Sequence, residues 1–113
     1  MLTKQELDTI ISEFKSGVKE LFGDSLKGII LYGSYARGDY DEESDIDILI
    51  LLDISNDKLH NYRSSISYIA DKADWDYKTL LSPVMVNYME FEKNKHCSAF
   101  YSNVNREGVS ILA

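Results

Sequence analysis

Gly33 and Ser34, a gap of ten residues, and then Asp45-Ile46-Asp47 stand out in this 113-residue chain as residues whose types and spacing could do chemistry. An apolar run, Gly28-Ile29-Ile30-Leu31-Tyr32, reads as a buried strand that stops at Gly33. A glycine there lets the backbone turn sharply and approach a ligand closely. Ser34 opens a short turn or helix, Tyr35-Ala36-Arg37, whose free amides and hydroxyl form an anion seat. Asp45 and Asp47 begin the next apolar run, Ile48 to Leu52. Residues two apart on a strand share a face, so the two carboxylates project together. Close carboxylates repel, and a bound cation makes the pairing tolerable. Oxygen ligands of this kind suit magnesium, which takes a few carboxylates plus substrate phosphates. A phosphate seat facing a magnesium dyad is a site for a nucleoside triphosphate such as ATP.

The segment Gly33-Ser34-Tyr35-Ala36-Arg37-Gly38, with Asp45 and Asp47 behind it, resembles the signature of the DNA polymerase β-like nucleotidyltransferase superfamily, in particular its minimal nucleotidyltransferases. That signature is Gly-Ser, a spacer of this length, then Asp-x-Asp, often within G-S-x-A-R-G. It covers residues 28–52, and the order of elements on either side fits the family loosely over the whole length. The resemblance implies nucleotidyl transfer, in which an acceptor oxygen attacks the α-phosphorus and pyrophosphate leaves. Asp45 and Asp47 would be catalytic and hold magnesium. Gly33 and Ser34 would bind the β- and γ-phosphates, and Arg37 would reach a phosphate oxygen. An ion pair with the acidic loop is the plain alternative for Arg37.

The family also carries a third carboxylate on the next core strand. Here the candidate strand, Thr79 to Asn87, contains no acid. Asp74 and Asp76 lie just before it, and Asp76 is the candidate catalytic residue. A helix-end carboxylate without a catalytic part is the alternative for both. If no acid reaches the site, the second metal binds weakly and transfer is slow.

Small family members of this length resemble the antitoxin half of a toxin–antitoxin pair. The implied partner is a small helical HEPN-domain ribonuclease, silenced by adenylylation of a tyrosine or by direct binding. The alternative is a catalytically degenerate nucleotide-binding module that acts by binding a partner protein. Transfer to a small molecule ranks last, because it needs a second domain to build the acceptor pocket.

Composition narrows the rest. A chain of 113 residues is expected to form one domain, residues 1–113. No stretch is long and apolar enough to span a membrane, and the amphipathic N-terminus is no signal peptide. The lone cysteine, Cys97, fits a reducing cytoplasm. A net charge of −7 argues against a nucleic-acid partner and favours a basic protein. Asp41, Glu42 and Glu43 read as a solvated loop. Trp75 and the eight tyrosines read as packing, since no basic groove accompanies them to make a base-stacking platform.

The elements that must position the site follow from periodicity. Thr3 to Phe22 predicts a helix with a Thr3/Glu6 capping box. Strands are expected at Leu26 to Tyr32, Ser44 to Leu52 and Thr79 to Asn87, the last with Pro83 at an edge or bulge. A helix from Ser55 or Asn56 to about Ala73, a short one over Met89 to Asn94 and a last one over Ser98 to Glu107 complete the set. Phe100, Tyr101 and Val104 are expected to face inward, with Gly108 as the cap and a closing strand over Val109 to Leu112. The order predicts an α/β (α+β) fold, a small mixed β-sheet flanked by helices, which is also the nucleotidyltransferase-type fold that the resemblance implies.

Overall fold

The predicted capping box is present. The Glu6 N–H donates to the Thr3 hydroxyl and the Thr3 N–H donates to the Glu6 carboxylate, each at 3.0 Å. It opens helix α1, Lys4–Phe22, in the computed structural model of the chain. The structure describes residues 2–112, with Trp75 and Asp76 described by their backbone alone. Strand β1, Leu26–Tyr32, follows, then the one-turn helix α2, Ser34–Arg37. Strand β2, Ile46–Leu52, begins later than expected because Ser44 belongs to the loop, where its hydroxyl accepts from the Asp41 N–H at 2.9 Å. The helix expected after Ser55 divides into α3, Asn56–Leu59, a 3-10 turn at His60–Tyr62, and α4, Arg63–Tyr77. Strand β3, Leu81–Asn87, helices α5, Tyr88–Asn94, and α6, Ala99–Glu107, and strand β4, Val109–Leu112, complete the described chain.

The strands form one sheet in the order β3-β2-β1-β4. β1 runs antiparallel to β2 and β4, and β2 runs parallel to β3. A parallel pair needs a crossover, which α3 and α4 supply. The mixed, helix-flanked sheet expected from the sequence is the one observed. On one face α1 and α4 bury Ile10, Phe14, Val18, Ile66 and Ala70 against Ile29, Leu31, Ile48 and Ile50. On the other, Phe91 of α5 and Val104 of α6 pack on Leu49, Leu51 and Val86. Cover on both faces explains the unbroken apolar run of β2, which has no solvent side to make polar.

β3 is an edge strand, as Pro83 requires. Ile46 donates its N–H to the Leu80 carbonyl at 2.8 Å, so the alternation turns the backbone of Pro83 away from β2. There a missing N–H leaves the ladder intact. The neighbouring outward N–H, that of Leu81, donates to the Asp74 carboxylate at 2.7 Å.

One expectation for α6 is corrected. Val104 is buried, but Phe100 is 42% exposed and stands against Tyr32 at the end of β1. Phe100 lies in the first turn of α6 against the last residue of β1, where it is only partly covered. Gly108 caps α6 as expected, its N–H donating to the Val104 carbonyl at 2.8 Å, with φ −69° in place of a left-handed conformation. Its lack of a side chain serves a close approach, since a Cβ there would run into Ile30 and the Val104 carbonyl.

Phe14 lies at the centre of the α1 face with 1% of its surface exposed. Phe14→Ala is expected to lower the unfolding free energy by about 3–5 kcal/mol, read from chemical denaturation.

Candidate active site

The sharp stop of β1 is a backbone requirement. Gly33 has φ 75° and ψ −155°, a conformation that side chains disfavour, and a Cβ there would run into Oδ2 of Asp47. The register pairs Tyr32 with Asp47, so the Asp47 carboxylate lies across the strand end against bare backbone. The chain then coils into α2. The Gly33 carbonyl accepts from Ala36 and Arg37 at 3.1 and 3.0 Å, and the Ser34 carbonyl accepts from Gly38 at 2.8 Å. Among the described residues nothing accepts from the Ser34 or Tyr35 N–H, which leaves these first-turn donors for an anion.

Asp45 stands exposed just ahead of β2, and Asp47 sits half-buried in its second position. Burial pushes the Asp47 pKa up, the negative charge of Asp45 adds to the rise, and the Arg37 charge opposes it. Two carboxylates close enough to disturb one another make a pair whose repulsion a bound cation would relieve. Among the described residues no group of three acids, histidines or cysteines could hold a metal. Carboxylate oxygens such as those of the dyad are the ligand type magnesium takes, together with substrate phosphates. Asp45 also borders a cleft of about 490 Å³ that Tyr35, Ser44, Lys78 and Thr79 help to line.

The third carboxylate does not come from β3. The parallel register sets Ser82 level with Asp47, so a hydroxyl stands beside the dyad on that strand. Asp74 is engaged in holding the Leu81 N–H. Its pKa is raised, mainly by burial against the lowering effect of that hydrogen bond, with smaller contributions from the charges of Asp71 and Asp45. Asp76 falls in the last turn of α4, and its side chain lies outside the described residues.

Arg37 is held by carboxylates. Its Nε donates to Asp39 at 3.2 Å and its Nη1 to Glu107 at 3.3 Å. Among the described residues Nη2 has no protein partner, so one corner of the guanidinium remains for a phosphate. The Asp39 pair is the ion pair expected from the acidic loop. Glu107 carries no local signal in the sequence, because it comes from the end of α6, 70 residues away.

Residues 11–107 match the profile of the nucleotidyltransferase domain. A protein of Methanocaldococcus jannaschii, provisionally named a protein adenylyltransferase, is 37% identical over 94% of this chain and 99% of its own length. A second protein of that organism, with the same provisional name, is 39% identical over 87% of this chain and 90% of its own. The protein adenylyltransferase MntA of Thermococcus cleftensis is 42% identical over 44% of this chain and 48% of its own. Among solved structures, a nucleotidyltransferase from Sulfolobus solfataricus superimposes with a TM-score of 0.54 at 22% identity, covering 96% of this chain and 87% of that one. A toxin–antitoxin crystal structure with AMP-PNP superimposes with a TM-score of 0.52 at 18% identity, covering 96% and 72%. At these identities the two structures speak for the fold alone.

Removing both acids tests the dyad. Asp45→Asn, Asp47→Asn is expected to abolish most of the magnesium-dependent heat of triphosphate binding in calorimetric titration. Without metal the same variant is expected to melt at or above the wild-type temperature at pH 7. The sign follows from linkage. With its pKa raised by folding, Asp47 adds stability that is present at acid pH and lost as the pH climbs through that pKa. The variant's advantage therefore disappears on acidification, and a lower melting temperature at neutral pH would make the dyad structural.

Proposed function

Because this chain belongs to the nucleotidyltransferase domain family, we propose that it moves AMP from ATP to a hydroxyl of a partner protein, with magnesium held by Asp45 and Asp47. The observation that carries the reading is the Asp47 carboxylate lying against Gly33, with Asp45 beside it and the unpaired N–H groups of Ser34 and Tyr35 following. The names of the relatives support a protein acceptor and the adenylyl group. Magnesium supplies charge neutralisation for the triphosphate and acidifies the acceptor hydroxyl.

The chain's own residues do the positioning. Gly33 and Ser34 hold the phosphates furthest from the sugar, and Arg37 presents its remaining N–H donors to one of them. The acceptor hydroxyl gives up its proton to solvent, its oxygen bonds to the α-phosphorus as the α–β bridge breaks, and pyrophosphate carries away the electron pair. Transfer by this route depends on alignment and electrostatics more than on any protein nucleophile. The acceptor enters beside Asp45, where the cleft of about 490 Å³ lies open. Asp76 is the proposed third acid, and only a functional test of Asp76→Asn addresses it.

The proposed partner is a small helical HEPN-type toxin, with this chain as the antitoxin. A toxin–antitoxin assembly among the structural neighbours is compatible with that pairing. The net charge of −7 favours a basic partner surface. A second reading, binding without efficient transfer, draws on Ser82, which stands where the family would bring an acid beside the dyad.

One experiment separates the two. The chain is incubated with magnesium, ATP labelled at the α-phosphate, and the co-expressed product of the adjacent reading frame, and is followed by intact mass. Added AMP on the partner supports transfer, whereas a complex that never gains mass leaves the binding reading in front. Ser82→Asp is expected to strengthen magnesium binding and raise the transfer rate by about ten-fold or more, as a well-placed charge does. An unchanged or lower rate would show that the metal does not sit beside β3.

A further inference from the structure

We infer that Phe100 is the platform on which the nucleobase of the bound triphosphate stacks, an assignment that rests on the proposed phosphate site. The observations begin with the sheet register. Tyr32 is the direct cross-strand neighbour of Asp47, on the same face of the sheet.

Phe100 meets Tyr32 edge to face, with ring centroids 5.6 Å apart and planes at 82°. Behind it, Tyr101 lies 5.7 Å away and in turn packs on Phe91 at 5.4 Å. Phe91 is buried to 3% exposure, so the row of rings is anchored in the core. Phe100 is the most exposed ring of the row, at 42%, with Tyr32 and Tyr101 partly covered. The row thus runs from the interior to the rim of the site and presents one rigid aromatic face there.

The phosphates restrict what can cover that face. A triphosphate seated on Gly33 and Ser34, with its metal on Asp47, carries its base one sugar ring beyond the α-phosphorus. Tyr32 joins the phosphate seat in sequence and the dyad in register, and Phe100 leans on Tyr32. The base is planar, uncharged and largely apolar on its faces, which suits a ring held by packing. Stacking also tolerates any base, because every base has a π-face. Arg37 is engaged with Asp39 and with Glu107 at the other end of α6. Magnesium triphosphates of adenosine and guanosine are therefore expected to bind within a few-fold of one another.

The test titrates the full 113-residue chain in magnesium with AMP-PNP, its guanosine counterpart and inorganic tripolyphosphate. Phe100→Ala is expected to weaken AMP-PNP by roughly ten-fold, in the range of one lost base stack, and to leave tripolyphosphate within two-fold. Phe100→Leu, which keeps apolar bulk without the ring, is expected to behave like Ala. Phe100→Tyr is expected to behave like wild type. Melting curves check that each variant stays folded. Equal weakening of AMP-PNP and tripolyphosphate would overturn the platform by making Phe100 a support of the phosphate seat. Unchanged AMP-PNP binding with reduced transfer to a partner would overturn it in favour of an acceptor ring at Phe100. Failure of the wild-type chain to bind tripolyphosphate would remove the phosphate site itself, whereas normal tripolyphosphate binding with an indifferent Phe100→Ala removes the platform alone.

Discussion

The contact between the Asp47 carboxylate and the bare backbone of Gly33 organises everything around it. No side chain fits between the end of β1 and Asp47, and the dihedral angles of Gly33 disfavour one in any case. Because the chain must turn there, α2 starts at Ser34 and its first amides border the acid. Because α2 lasts one turn, Arg37 comes round to where Asp39 and Glu107 hold it. Gly108 plays the matching part on the other side, letting the end of α6 settle onto Ile30. Two glycines thus fix what two strands and two helices bring to one spot.

Charge at the site orients more than it stabilises. The Arg37 pairs are substantially exposed, and pairs of that kind contribute little to stability. Burial and the neighbouring charge of Asp45 disfavour the charged form of Asp47 in the folded chain. The fold carries this load because its stability comes from elsewhere, from the two apolar layers that sandwich β2. Asp41 contributes locally, its side chain accepting from the Glu43 N–H and the Ser44 hydroxyl to shape the loop ahead of the dyad. That acid is a builder of the loop, not only a solvated charge.

Local order was legible in the sequence where short-range rules decide it. The capping box, β1, the edge position of Pro83 and the closing strand are set by neighbours a few residues apart, and all appear as expected. What long-range packing decides was not legible. The 3.6-residue period places Phe100 on the same side of α6 as Val104, but it cannot say that Phe100 meets Tyr32 at the end of β1 and stays partly exposed. Ser82 becomes meaningful only through the parallel register with Asp47, which no turn within the sequence specifies. The Arg37–Glu107 pair joins residues whose proximity depends on the path of α6, so composition near Arg37 offered Asp39 alone.

The outer rim of β3 has a consequence for how this protein can meet others. Its first outward amide is already taken by Asp74, and at the next outward position Pro83 has none to offer. A foreign strand approaching this border would find no donors over the half nearest the dyad, and so no ladder to extend. Lengthening the sheet across that border is closed off by main-chain chemistry before any side chain is consulted. Encounters there must instead be made through side chains, whose identity can discriminate between partners, and the chain is spared the indiscriminate self-pairing that an open strand border invites.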